Sequence, residues 1–235
     1  MKTSSKIALL VLLVVAGAAA LLALNRPMPK GAAQGATSPS STPVHSYSAD
    51  TRPTVEVYGD SITDGNSHGF SQGDTGEESW TSYIAENGLR FMGGFAMSGL
   101  SSKDIQEFGQ GGRADYVIYG IGVNDVRGAA RPFEEFAENT EAFAEKQTEN
   151  GAEFVVVAIG PVEGIHADLA REYNERLPRL AEEQGWIFVD PWTELRDEDY
   201  TFIGDTGRDD VHPNKEGSKI YAATLADQLL NRRGE

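Results

Sequence analysis

The sequence predicts an α/β fold: one doubly wound domain over residues 53–232, behind an apolar N-terminal segment and a tether. Three observations predict it. Short β-rich runs alternate with longer stretches of helical period, two of those runs are nearly continuous in apolar residues, and the polar clusters able to do chemistry follow the runs, where such folds place their ligands.

Composition narrows the class. The 235 residues include no cysteine, and 40% are hydrophobic, which excludes a disulfide-stapled miniprotein, a Cys-ligated metal protein, a thiol enzyme and a wholly disordered chain. Residues 51–235 hold 16 basic against 35 acidic side chains. So acidic a surface repels phosphate backbones, and nucleic acid is not an expected partner.

Residues 7–24 form an uncharged apolar run preceded by Lys2 and Lys6, the layout of an export signal. As a helix the run would span roughly 27 Å, close to the thickness of a bilayer core, so it reads as a signal peptide or as a retained membrane anchor. Small-residue sites such as Ala18-Ala19-Ala20 would permit cleavage, at the cost of leaving Leu21, Leu22 and Leu24 on the mature end. Residues 25–52 are rich in Pro, Gly, Ala, Ser and Thr and read as a disordered linker, because they offer too little apolar surface to order themselves.

Within the domain the predicted strands are Thr54–Tyr58, Arg90–Met97, Tyr116–Gly122, Glu153–Ile159 and Trp186–Val189. The third and fourth are the nearly continuous apolar runs, as expected of strands covered on both faces. Phe133, Phe136, Ala137, Thr140, Phe143 and Ala144 recur at a period near that of a helix and mark one buried face. Leu169, Tyr173, Leu177 and Leu180 mark a second helix, with a kink predicted at Pro178. A last helix runs from about Asn214 to Leu230, with Ile220, Tyr221, Thr224, Leu225 and Leu229 inward.

Four polar clusters could carry chemistry. Gly59-Asp60-Ser61 follows the first strand, and Ser61 would open the next helix beside free backbone N–H groups; alone, it reads more simply as a helix cap. Asp60 is expected to satisfy N–H groups of that turn. Gly99 follows the second strand and could bring its N–H to a ligand, or simply turn the chain. Asn124, in Gly122-Val123-Asn124-Asp125, offers a neutral amide donor for a developing oxyanion, or caps a turn. Asp209 precedes His212 by three residues; a carboxylate so placed can hold one ring nitrogen and leave the other free as a base, with Asp210 as a competing partner. A nucleophile, an oriented base and two oxyanion donors complete a set that no single structural reading explains.

With these four blocks in this order, from about Thr54 to Leu230, the sequence resembles the SGNH or GDSL hydrolase family. The resemblance implies a flavodoxin-like three-layer α/β/α sandwich on a five-stranded parallel sheet, and ester hydrolysis with no metal and no other cofactor. It implies Ser61 as nucleophile, His212 as base, Asp209 as its partner, and Ser61 N–H, Gly99 and Asn124 as oxyanion hole. The glycine block departs from the commoner Asn-x-Gly-x-x-Gly form, since Met92, Gly93 and Gly94 precede it irregularly.

Gly69-Phe70-Ser71-Gln72-Gly73 matches the elbow pattern of α/β-hydrolases, but its polar, glycine-rich flanks predict a surface loop rather than a strand and a helix, so Ser71 is rejected as nucleophile. His68 and His166 lack metal-ligand spacing. The expected function is that of an extracytoplasmic serine esterase, membrane-tethered through residues 7–24 or secreted, acting on a small-molecule or glycan ester. The absence of a long apolar insertion favours a short acyl group such as acetyl. An acyltransferase to a sugar hydroxyl and a non-catalytic carbohydrate-binding domain are the rival readings.

Overall fold

The computed structural model describes residues 50–109 and 111–232. The predicted anchor over 7–24, and all of the tether before residue 50, lie outside the described residues. Among the described residues no helix is long and apolar enough to cross a membrane.

Five parallel strands form one sheet in the order β2-β1-β3-β4-β5: β1 Thr54–Gly59, β2 Arg90–Ala96, β3 Tyr116–Gly120, β4 Glu153–Val157 and β5 Ile187–Val189. Among the described residues four α-helices accompany them, α1 Ser61–Asp64, α2 Phe133–Thr148, α3 Ala167–Gln184 and α4 Lys215–Asn231, with shorter helical turns between. All five predicted strands are present. β2, β3 and β4 stop one or two residues early, β1 runs one residue further, to Gly59, and β5 starts one residue late, at Ile187. The outward step of the strand order from β1 to β2 on one side and β3 on the other is the switch point of doubly wound sheets.

Strand alternation assigns the two faces. Tyr58 of β1 and Tyr119 of β3 are register partners, and both rings meet Phe143 of α2, at 5.1 and 5.3 Å. Helix α3 lies beside α2, with Tyr173 4.9 Å from Phe136, and continues through Pro178 to Gln184. On the other face Tyr221 of α4 packs against Trp80 at 5.1 Å and Trp192 at 4.8 Å. The inward stripe of α4 is broader than predicted: Ser218, Ala222 and Ala226 are buried, while Ile220 and Thr224 are only half-buried. Small residues there let the helix sit close to the two tryptophans, which apolar periodicity alone does not reveal.

Register also explains the irregular glycines of β2. Val55 pairs with Phe91 but Val57 with Gly94, so β2 carries one extra residue, a bulge at Met92-Gly93. Gly94 has φ 137°, and a Cβ there would stand 1.9 Å from the Val57 carbonyl oxygen. Beyond the bulge the register recovers, with Gly59 opposite both Ala96 and Gly120. The neighbouring strands β2, β1 and β3 therefore end level, and the loops carrying Ser61, Gly99 and Asn124 leave the sheet side by side.

Candidate active site

Ser61 opens α1, a single turn rather than a full helix. Asp60 caps it: its Oδ1 accepts the Ile62 N–H at 3.0 Å. Gly65, at φ 52°, closes the turn by donating to the Ser61 carbonyl at 3.0 Å. Gly59 is required by close approach, since a Cβ there would lie 2.2 Å from Thr63 Oγ1. Asp60 is only 1% exposed, and burial pushes its carboxyl up to about 7, with Asp125 adding to the rise and the Ile62 N–H opposing it.

His212 reaches Ser61 from the loop before α4. Its Nε2 lies 2.7 Å from Ser61 Oγ. Its Nδ1 faces both oxygens of Asp209, each at 2.9 Å. Asp209 Oδ1 also accepts the backbone N–H groups of Val211, at 3.0 Å, and His212, at 2.8 Å. Partial burial would raise the Asp209 carboxyl, but those two N–H groups and the imidazole outweigh it and hold the carboxyl down at about 2. The loop is anchored on both sides of the ring. Arg208 N–H donates to the His212 carbonyl at 2.8 Å, and Asn214 caps α4 by accepting from Glu216 and Gly217 at 3.0 Å each. Asp210 turns away, and Arg127 Nη2 donates to it at 2.6 Å.

Asn124 ends the loop after β3. One of its amide hydrogens goes to the Leu100 carbonyl at 2.9 Å, and the second remains for a ligand. That bond ties Asn124 to the turn that presents Gly99, whose φ of 84° favours glycine and around which an added Cβ would meet nothing within 4 Å. Beneath both lies a buried knot. Asp125 is fully buried and accepts from Ser102 N–H at 2.9 Å, Ser102 Oγ at 2.6 Å and Arg131 Nε at 2.7 Å. It fixes the loops carrying Gly99 and Asn124 to one another.

Sequence reasoning missed this knot and the cluster flanking the nucleophile, where Arg208 pairs with Glu78 and Asn66 Nδ2 donates to Glu78 at 2.6 Å. Asp125 adjoins Asn124 in one motif, and an acid there was a usable signal; the Arg208–Glu78 pair, 130 residues apart, gave none. Ser71 stands exposed on the short helical turn Phe70–Gln72, where its Oγ accepts from Gln72 Nε2 at 2.7 Å. Among the described residues no group of His, Asp or Glu side chains has the spacing to hold a metal ion.

A nucleophile hydrogen-bonded to an imidazole, itself held by an ionised carboxylate, is the arrangement of a serine hydrolase. Comparison with known proteins agrees. The model of the GDSL-like lipase/acylhydrolase family matches residues 57–220, and the chain belongs to that family; its class of activity is serine ester hydrolysis. Solved structures share the fold. A lipolytic protein of the G-D-S-L family from Desulfitobacterium hafniense DCB-2 is 20% identical with TM-score 0.61, over 75% of this chain and 99% of that one. An acetyl xylan esterase from Geobacillus stearothermophilus is 20% identical with TM-score 0.59, over 75% and 94%. A carbohydrate esterase family 3 protein from Talaromyces cellulolyticus is 17% identical with TM-score 0.59, over 77% and 97%. No curated protein sequence matches the chain.

Proposed function

We propose that this protein is an extracytoplasmic esterase that removes short acyl groups, acetyl in the first instance, from carbohydrate through a Ser61 acyl-enzyme. The observation that carries the reading is the unbroken chain from Ser61 Oγ to His212 Nε2, 2.7 Å, and from His212 Nδ1 to Asp209, 2.9 Å. His212 takes the Ser61 proton as Oγ attacks the ester carbonyl. Asp209, ionised throughout the working range, keeps the Nδ1–H tautomer and stabilises the imidazolium that forms. The oxyanion is received by the Ser61 and Gly99 N–H groups and the spare amide hydrogen of Asn124. The imidazolium protonates the departing alcohol, and His212 then activates water to release the acid. The carbohydrate esterases among the structural relatives support sugar as the alcohol, and the apolar run over 7–24 behind Lys2 and Lys6 supports action outside the cytoplasm.

Labelling by a fluorophosphonate probe tests the core of the reading. Ser61→Ala is expected to abolish both labelling and turnover of p-nitrophenyl acetate, and Ser71→Ala to preserve both; the opposite pattern would put the nucleophile elsewhere. Membrane fractionation of the full chain, with N-terminal sequencing of any released form, separates anchor from cleaved signal.

A further inference from the structure

We propose that the cleft leading away from Gly99 is a sugar subsite, holding one ring of the acylated substrate against Phe108. The inference rests on the carbohydrate-ester reading above and names the surface that would make the enzyme prefer sugar esters. The turn after β2 and the short helix Asp104–Glu107 enclose a cleft of about 390 Å³, within the range of small-ligand sites. Gly99 is among its lining residues, so the cleft shares a wall with the proposed oxyanion hole.

The chemistry of the walls selects the occupant. Phe108 is stacked flat on Phe95, centroids 3.9 Å apart and planes 8° from parallel. Phe108 lines the cleft and Phe95 does not, so Phe95 backs the ring from behind and fixes its plane. Met97, 46% exposed, extends the apolar floor. Around that floor stand the exposed side chains of Lys103 and Glu107. The third charged group, Asp104, is engaged within the wall, its Oδ2 accepting from Ser101 N–H at 3.1 Å and Ser101 Oγ at 2.5 Å. An alkyl chain laid here would strip water from an ammonium and a carboxylate and return no hydrogen bond. A sugar ring matches both parts: its C–H face lies on the aromatic plane, and its hydroxyls meet the ammonium and the carboxylate at the rim.

The test compares kcat/KM for acetylated xylo-oligosaccharides with kcat/KM for p-nitrophenyl acetate, using the full chain. Phe108→Ala is expected to lower this ratio about tenfold, the loss residing in KM for the sugar ester, and Phe108→Trp to restore most of it. Lys103→Ala and Glu107→Ala, both at exposed positions where folding is not at stake, are each expected to lower the ratio about threefold. An unchanged ratio in the Lys103 and Glu107 variants overturns the subsite, even if Phe108→Ala fails to fold. So does a wild-type kcat/KM that climbs as the acyl chain of p-nitrophenyl esters lengthens and loses that climb in Phe108→Ala, since the cleft would then hold the acyl chain. A wild type that cleaves p-nitrophenyl acetate but no sugar ester removes the subsite and leaves the esterase standing; a wild type that cleaves neither removes the esterase reading itself.

Discussion

Two loops carry the residues proposed to act with Ser61, and they are held by different means. The loop after β3, which carries Asn124, is fixed by Asp125, whose side chain has no exposure and whose partner Arg131 is only 11% exposed. The loop before α4, which carries His212, is fixed by pairs that water reaches: Arg127–Asp210, at 38% and 41% exposure, and Arg208–Glu78, at 36% and 24%. A desolvated pair is strong, costly to break and little affected by salt, whereas an exposed pair contributes about 0–1 kcal/mol and is screened. The proposed oxyanion side is therefore built as part of the core. The proton-transfer side is built as surface, and its geometry depends on close local hydrogen bonds rather than on burial.

That contrast can be broken at graded cost. The largest effect on rate is expected at Asp209→Asn, where an amide NH₂ facing Nδ1 leaves the wrong ring nitrogen protonated; kcat should fall by up to about 10⁴ with the fold intact by circular dichroism. Asn124→Ala comes next. It removes a donor to charge present only in the transition state, so kcat should drop by about 10² to 10³ with KM nearly constant in steady-state kinetics. Asp125→Ala should act on stability, since it strands Arg131 and Ser102 beneath the site. A loss of about 3 kcal/mol or more in urea unfolding is expected, and a loss below about 1 kcal/mol would show that the buried knot does not hold these loops. The smallest effect is expected at Asp210→Asn, with rates within about threefold of wild type and the difference vanishing near about 0.5 M salt. A crippled Asp210→Asn beside a healthy Asp209→Asn would reassign the histidine's carboxylate.

Much of this was legible in the sequence, for identifiable reasons. The central strands carry their burial in composition: Tyr116–Tyr119 and Phe154–Val157 are apolar throughout and buried throughout. The site residues lie in short motifs next to strand ends, so locating the strands located the motifs. What was not legible depends on contacts between distant segments. The single-turn length of α1 follows from Gly65, which approaches Ser79 so closely that a Cβ would lie 2.1 Å from its nitrogen. The continuity of α3 through Pro178 and the broad stripe of small residues on α4 are likewise settled by packing. The pairing of Arg127 with Asp210 joins positions 83 apart in a chain rich in charge, and no local pattern marks that pair.

The burial of Asp60 makes a proton part of the nucleophile's turn. With its carboxyl raised from the ordinary 3.8 to about 7, the folded protein retains a proton that the unfolded chain releases near pH 4. Where the native state binds more protons, stability declines as pH rises, so this contribution is fully present below about pH 4 and is lost progressively up to about pH 7. Asp209, held down at about 2, does the reverse: its contribution is present above about pH 4 and disappears as pH falls toward 2. One side of the Ser61 site is thus favoured by acid and the other by base. Asp60→Asn, which mimics the neutral carboxyl and still accepts the Ile62 N–H, should raise Tm relative to wild type more at pH 8 than at pH 5 in calorimetry. A gain of the same size at both pH values would mean that Asp60 titrates normally despite its burial.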